Sequence, residues 1–189
     1  MGLKYINLKG IVTATTVFVT SVLPLGAQQA DSRDETQLLA ELAQADATRA
    51  LQLDRQLQAL WAQSGSAAMD LLLKRARDAL EVDDTRAAID HLTALTDHAP
   101  EFAEGWHLRA SAFYEAEMFG LAMDDLARAL ALNPNNYNAI YGLGAVFETL
   151  GDADRAFAAY ERAQAIHPHH DQVSKALERL QRQVRGRAL

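Results

Sequence analysis

The spacing of the prolines constrains the fold of this 189-residue chain more than any other feature. After residue 27 the sequence contains only Pro100, Pro134 and Pro168, and each interval is 34 residues. Small residues recur 24 and 12 positions before each of these prolines: Ala76 and Ala88, Ala110 and Ala122, Gly144 and Ala156. A fixed period of this length is typical of an array of repeated structural units.

Each unit has the pattern expected of two antiparallel helices that pack closely. The small residues mark the helix crossing, and bulky residues such as Leu92, Leu126 and Tyr160 fill the space beside it. The chain has only 10 glycines and 4 prolines, fewer turn residues than an all-β protein needs. The sequence therefore predicts an all-α fold, with paired helices at 69–82 and 85–98, 103–116 and 119–132, and 137–150 and 153–166.

The residues in these positions resemble the tetratricopeptide repeat (TPR) family, whose pattern is W-x₂-L-G-x₂-Y, then A-x₃-F, then P. The second unit has Trp106, Arg109-Ala110, Phe113, Ala122, Leu126, Ala129 and Pro134; the third has Ile140, Leu143-Gly144, Phe147, Ala156, Tyr160, Ala163 and Pro168. The first unit is looser, with Leu72 and Ala79 at the Trp and Tyr positions. The resemblance implies a helical solenoid of three TPRs, 69–102, 103–136 and 137–170.

Residues 171–189 have the pattern of a capping helix followed by a short tail. The terminal repeat of a solenoid exposes an apolar face that another element must cover. Apolar residues fall at spacings of three and four in this segment: Val173, Ala176, Leu177, Leu180 and Val184. The sequence predicts that this helix covers the third repeat.

Residues 28–68 favour helices but do not follow the 34-residue period. Two apolar stripes are present, Leu38, Leu39 and Leu42, then Leu53, Leu57, Leu60 and Trp61. They are separated near residues 46–48 and end at 64–66, where Ser and Gly favour a break. We interpret this segment as a helical cap on the first repeat. The alternative is self-association, which would make the protein a homodimer.

The N-terminal residues 1–27 have the pattern of a secretory signal peptide. Lys4 and Lys9 precede an uncharged stretch that ends in Leu25-Gly26-Ala27, a small-residue cleavage pattern. The apolar part, residues 11–25, is short for a membrane span of about 20 residues. We expect cleavage after Ala27 and a periplasmic location, with no stable membrane association afterwards. The alternative is an uncleaved inner-membrane anchor.

The composition argues against several functional classes. The absence of cysteine excludes disulfides, thiol nucleophiles and Cys-ligated metals. The formal charge of −7 disfavours nucleic acid as a partner. Gly142 and Gly144 lack the third glycine of a phosphate-binding loop, and the carboxylates of Asp83-Asp84 and Asp124-Asp125 are expected on polar helix surfaces. The sequence predicts no enzymatic activity and no cofactor.

Three histidines surround the last proline, at His167, His169 and His170. Neutral imidazoles this close in sequence can share Zn²⁺, Cu²⁺ or Ni²⁺, which makes these residues weak candidates for a metal site. The simpler interpretation is a polar turn between the last repeat and the capping helix.

The resemblance also implies a concave groove that binds a protein or peptide partner. The groove-facing positions of the family correspond here to nine side chains: Asp70, Arg77, Glu104, His107, Ser111, Tyr114, Asn138, Tyr141 and Glu148. Tyr114 and Tyr141 would act as aromatic anchors, unless they only pack against a neighbouring repeat. The basic clamp of TPR domains that bind a chaperone's terminal carboxylate is absent, because its positions hold Leu73, Arg77, Leu108, Asn138 and Gly142.

These observations favour a periplasmic scaffold or adaptor that binds a protein segment in its groove. One alternative is an accessory protein in cell-envelope assembly or division. Another is a metal-handling accessory protein that uses the histidine turn.

Overall fold

A computed structural model describes residues 35–187, with side chains described as far as residue 182. The predicted signal peptide lies outside the described residues. The described part consists of helices and turns without a β-strand. Its helices are α1 (35–42), α2 (Ala47–Trp61), α3 (Ala67–Glu81), α4 (Thr85–His98), α5 (Ala103–Glu115), α6 (Phe119–Leu132), α7 (Tyr137–Thr149), α8 (Ala153–Ile166) and α9 (Asp171–Arg187). The predicted all-α fold class is confirmed. None of these helices has the length and apolar character that a membrane span requires.

The turn inside each helix pair uses the same backbone conformation. Asp83, Glu117 and Gly151 occupy the same position of successive repeats, and each has a positive φ, of 59°, 59° and 81°. A carboxylate then caps the second helix in two of the three repeats: Asp84 accepts from the Ala87 N–H and Asp152 from the Arg155 N–H. This turn makes each pair antiparallel.

The small residues that define the repeat lie where the helices cross. Ala76, Ala88, Ala110, Ala122 and Ala156 are all buried. Their low volume lets the paired helices approach closely, and the bulky residues Leu92, Leu126 and Tyr160 fill the adjacent space. The repeats then stack in chain order, with α5 on α4 and α7 on α6.

Gly144→Ala is expected to destabilise the protein by about 1–3 kcal/mol through overpacking. A Cβ at this position would lie 2.5 Å from Cε1 of the Tyr160 ring. That ring is buried, and its hydroxyl donates to Glu148, so it cannot move aside freely. Urea denaturation measures the loss.

Gly120→Ala is the matched control, because its added Cβ has no atom within 4 Å beyond its chain neighbours and the backbone of its own helix, and helix propensity then favours Ala by up to about 1 kcal/mol. Equal stability of the two variants would contradict the close crossing.

The helix α9 covers the end of the array formed by the third repeat. Its buried residues Val173, Ala176, Leu177 and Leu180 share one apolar cluster with residues of α7 and α8. These are four of the five residues from which the sequence predicted a capping helix; the side chain of the fifth, Val184, lies outside the described residues. An ion pair between Arg179 of α9 and Glu148 of α7, 2.8 Å apart, joins the same helices at the surface.

The N-terminal hairpin, formed by α1 and α2 (35–61), lies in a different place from the one predicted. It packs against the start of α7 and the turn between α8 and α9, where Tyr137 contacts Trp61 with ring centroids 5.2 Å apart. The buried residues Leu42, Leu53 and Leu57 share the apolar cluster of the third repeat and α9.

The hairpin does not cover the outer face of the first repeat, which carries one exposed leucine and an exposed ion pair. Gly105 of α5 packs on α4, and the equivalent residue of α3 is Leu71, which is 47% exposed. The equivalent of the buried Ala112 is Asp78, which forms an exposed ion pair with Lys74. An apolar hairpin therefore gains more by packing on Tyr137 than on this charged face.

Candidate binding groove

The inner face of the array contains a cleft of about 390 Å³ between α5 and α7, which reaches α9 at Gln172. Ala110, Leu126 and Val146 are among the apolar residues that line it, and its size falls in the range of ligand-binding clefts. Five of the predicted groove residues line it: His107, Ser111, Tyr114, Asn138 and Tyr141. The structure thus brings together the central members of the predicted set.

Both tyrosines of this cleft are held in place by neighbours and remain partly exposed. The Tyr114 hydroxyl hydrogen-bonds the Thr149 hydroxyl at 2.9 Å, and its ring packs edge-on to Phe119. The Tyr141 ring stacks on His170 with centroids 5.7 Å apart, and burial raises its pKa. Each ring therefore packs on a neighbour and also presents an oriented surface to the cleft.

An ion pair crosses the inner face from the first repeat to the second. Glu104 is buried, accepts from Arg77 at 2.7 Å and lies 3.1 Å from Nδ1 of His107. Burial by itself would raise the pKa of Glu104, but His107 and Arg77 together hold it below its ordinary value. These side chains align α3 with α5 and partly neutralise this part of the groove.

Two predicted groove residues have structural partners at the ends of the array. Asp70 accepts from the backbone N–H and the hydroxyl of Ser64, and these hydrogen bonds lower its pKa. Glu148 accepts from Arg179 and Tyr160; the Arg179 hydrogen bond is the main reason that its pKa is lowered. Neither residue lines the main cleft.

A second cleft, of about 300 Å³, lies between α2 and the inner face of the array. Gln58 and Trp61 of α2 face Arg77, Glu104 and His107 across it, and Asn138 also lines it. Sequence reasoning missed this cleft because the apolar stripe of α2 shows which face it buries but not where it docks.

Tyr137 anchors the hairpin to the array. It is completely buried, and its hydroxyl donates to Oδ1 of Asp54 on α2 at 2.7 Å. Burial and this hydrogen bond raise the pKa of Tyr137 far above its ordinary value. The ring also packs edge-on against His167 and His170.

The three histidines of the last turn have separate partners. His169 hydrogen-bonds the Ala45 carbonyl at 2.9 Å, and His170 hydrogen-bonds Asn138 at 3.0 Å. His167 is buried, its Nε2 lies 3.8 Å from Asp54, and its Nδ1 has no hydrogen-bond partner among the described residues. Within residues 35–182, no group of three or more histidine, aspartate or glutamate side chains is placed to hold a metal ion. The rings therefore join the turn to the hairpin and α7.

Acidification is expected to destabilise the folded protein through His167 and His170. Burial lowers the pKa of both, and for His167 the neighbouring His170 adds to the effect, while Asp54 opposes it. The unfolded chain then binds protons more readily than the folded protein. Stability is full above about pH 6.5, the ordinary histidine pKa, and falls as the pH drops toward the folded-state values.

Urea denaturation at about pH 7.5 and about pH 5.5 measures this change, because both pH values lie more than about one unit above the ordinary carboxylate pKa values. The double variant His167→Gln, His170→Gln should lose less stability between the two pH values than the natural sequence. If both proteins lose the same stability between the two pH values, groups other than His167 and His170 cause the pH dependence.

Comparisons with known proteins agree with this architecture. Residues 137–170 match the family model described as tetratricopeptide repeat. A TPR repeat-containing protein of Rhizobium etli is 28% identical over 139 residues, which cover 71% of this chain and 68% of that protein. Superkiller complex protein 3 of Mus musculus is 32% identical over 109 residues, 57% of this chain but only 6% of that protein.

Solved TPR structures share the fold. The first TPR of Spaghetti (RPAP3), bound to the HSP90 peptide SRMEEVD, has a TM-score of 0.59 and 24% identity, with 61% of this chain and 92% of that chain covered. The TPR2B domain of yeast Sti1, in a complex with an Hsp70 peptide, has a TM-score of 0.59 and 18% identity, with coverages of 62% and 99%.

The fold and its inner cleft define a helical-repeat protein in which stacked antiparallel pairs form a groove. The family model identifies residues 137–170 as a tetratricopeptide repeat. The array as a whole has the TPR helical-solenoid fold and is similar to TPR repeat-containing proteins.

Proposed function

We propose that this protein is a scaffold or adaptor that binds a segment of a partner protein in the cleft between α5 and α7. The observation that carries the proposal is the pair Tyr114 and Tyr141, which their neighbours orient and which line the same cleft as the apolar residues Leu126 and Val146. Pre-oriented aromatic side chains lose little entropy on binding and are common anchors at protein interfaces.

The structural neighbours support a binding function on this fold. One TPR domain with the same fold is bound to an HSP90 peptide, and another is in a complex with an Hsp70 peptide. The cleft of the present chain combines apolar side chains with hydroxyl and amide groups, which suits a peptide. Binding, rather than catalysis, is the function that these side chains favour.

The partner segment is expected to lack an acidic C-terminus. Among the described residues, no lysine or arginine lines the cleft between α5 and α7, whereas the exposed Glu115 does. Arg77 is already paired with Glu104, and Leu73 is buried in the core. A synthetic SRMEEVD peptide should therefore show no saturable binding in a fluorescence anisotropy titration. Saturable binding that depends on Arg77 would contradict this expectation.

The partner is proposed to be periplasmic, since residues 1–27 have the pattern of a signal peptide. Cell fractionation of the full chain and of a version without residues 1–27 tests the location. Recovery of both in the same compartment would contradict export by this segment.

A pull-down from periplasmic extract tests the groove, with the chain from residue 28 as bait beside the double variant Tyr114→Ala, Tyr141→Ala. Loss of both anchors should weaken partner retention at least about tenfold. The control is Met118→Ala, Leu121→Ala, which removes two exposed apolar side chains that do not line the cleft. Circular dichroism verifies that all baits stay helical. Equal retention by all three baits would exclude the groove.

A further inference from the structure

The outer face of α3 is a packing face that no described element covers. In the second repeat, the equivalent face of α5 packs on α4 through Gly105, and Arg109 reaches back to donate to Thr96. The residues of α3 at these two positions, Leu71 and Arg75, are exposed. The terminal repeat of a solenoid exposes such a face, which another element must cover. Helix α9 covers only the opposite end of the array.

Four exposed residues form a stripe along this face: Leu71, Arg75, Asp78 and Val82. They follow one another at intervals of four, three and four residues, so they lie on one side of the helix, with Val82 directly after its last residue. Leu71 is 47% exposed and Val82 73%. The two apolar side chains are separated by about 16 Å along the helix axis, with the two charges between them.

The two charges of the stripe are available for contacts with another molecule. Arg75 has no hydrogen bond or ion pair among the described residues. Asp78 lies 2.6 Å from Lys74, in an ion pair whose side chains are 55% and 68% exposed. A carboxylate has about four lone-pair sites, so Asp78 can accept from a second cation as well.

The stripe is complementary to a reversed copy of itself. In one direction its order is apolar, basic, acidic, apolar, and in the other it is apolar, acidic, basic, apolar. When two copies of α3 pack antiparallel about a twofold axis, Leu71 of each copy faces Val82 of the other, and Arg75 of each faces Asp78 of the other. Single exposed apolar residues are common on protein surfaces. Here two of them flank an opposite-charge pair symmetrically, which is what an isologous contact requires.

We propose that two copies of this chain associate through the outer stripes of α3, packed antiparallel. The second copy covers the open end of the array, as α9 covers the other end within the chain. This contact is separate from residues 28–68, the segment for which the sequence left self-association open. It is also separate from the cleft between α5 and α7, so one dimer presents two such clefts.

The apolar ends of the stripe supply affinity, and its charges supply orientation. Burial of Leu71 and Val82 removes apolar surface of both copies from water. Exposed ion pairs add little affinity, but like charges placed opposite one another oppose association strongly. A single helix from each copy buries less than the roughly 800 Å² per partner of a standard interface. The dimer is therefore weak and dissociates on dilution.

Sedimentation velocity of the chain from residue 28, the form expected after cleavage, measures the association. Between about 5 and about 500 µM the average mass should rise from that of a monomer toward that of a dimer. Arg75→Glu and Asp78→Lys should each weaken self-association at least about tenfold, because each places like charges opposite one another at two symmetric positions. An equimolar mixture of the two variants should associate again, because the stripe of one is then acidic and that of the other basic.

Two control variants match these changes at other exposed positions. Arg182→Glu makes the same change in net charge on α9 and should alter the dissociation constant less than about twofold. Leu71→Ser should weaken the dimer, whereas Leu121→Ser should not, although the two leucines are 47% and 49% exposed. Thermal unfolding of each variant verifies that the array remains folded.

Three results would overturn the proposal. A monomer at every concentration would exclude self-association. A dimer that tolerates both Arg75→Glu and Asp78→Lys would use another surface. Failure of the mixed variants to associate, although each alone is weakened, would exclude the antiparallel pairing. None of these results bears on the cleft, whose test depends on Tyr114 and Tyr141.

Discussion

Asp125→Ala is expected to lower the free energy of unfolding by about 3–5 kcal/mol, because it leaves Arg109 without its partner inside the array. Asp125 is 5% exposed and accepts two hydrogen bonds from Arg109, of 2.7 and 2.9 Å. Arg109 also donates to Thr96 and lies 4.8 Å from the Trp106 ring centre. One side chain therefore joins α4, α5 and α6. Urea denaturation at neutral pH measures the loss.

The double variant Arg109→Met, Asp125→Leu removes both charges of the ion pair. Comparing it with Asp125→Ala shows how much of the lost stability comes from leaving the Arg109 guanidinium without a partner. Replacing a buried ion pair by apolar residues of similar volume is often neutral or stabilising. We expect this variant to be more stable than Asp125→Ala by at least about 2 kcal/mol. If the two variants are equally unstable, the loss comes from packing and not from the unpaired guanidinium.

Tyr137→Ala is expected to cost about 3–5 kcal/mol and to detach the N-terminal hairpin from the array. The side chain is completely buried between Trp61, His167 and His170, and it forms the 2.7 Å hydrogen bond to Asp54. Hydrogen exchange followed by mass spectrometry should show faster exchange in residues 35–61, with little change in α4. Unchanged exchange in the hairpin would mean that other contacts hold it.

Tyr137→Phe removes only the hydroxyl and is the comparison that isolates the hydrogen bond. A hydrogen bond to a charged group contributes about 1.5–3 kcal/mol, so this variant should lose less stability than Tyr137→Ala. The apolar contacts of the ring with Trp61 remain. The hairpin should therefore stay attached, with exchange in residues 35–61 close to that of the natural sequence.

The groove was only partly predictable from the sequence. The resemblance to the TPR family located His107, Ser111, Tyr114, Asn138 and Tyr141, which line the cleft. It could not show that Glu148 pairs with Arg179 of α9, because the rotation of a capping helix depends on how its apolar face packs. The expectation that Asp125 lies on a polar surface was wrong: the residue is buried and paired with Arg109.

The sequence by itself determined the repeat and its helices. Helix ends depend on local signals such as prolines, capping carboxylates and a left-handed glycine, and these signals act within a few residues. The predicted bounds of the repeat helices therefore lie within two residues of the observed ones. The all-α solenoid followed from the 34-residue period, because each pair can bury its apolar face only against the next.

Only the tertiary structure decided where the N-terminal hairpin docks. The apolar stripe of α2 determines which of its faces is buried, but many apolar surfaces could receive that face. The choice depends on contacts between residues far apart in the chain, such as Asp54 with Tyr137 and Ala45 with His169. These contacts turn a predicted cap of the first repeat into one side of the second cleft, opposite Arg77, Glu104 and His107, and no local pattern in the sequence encodes them.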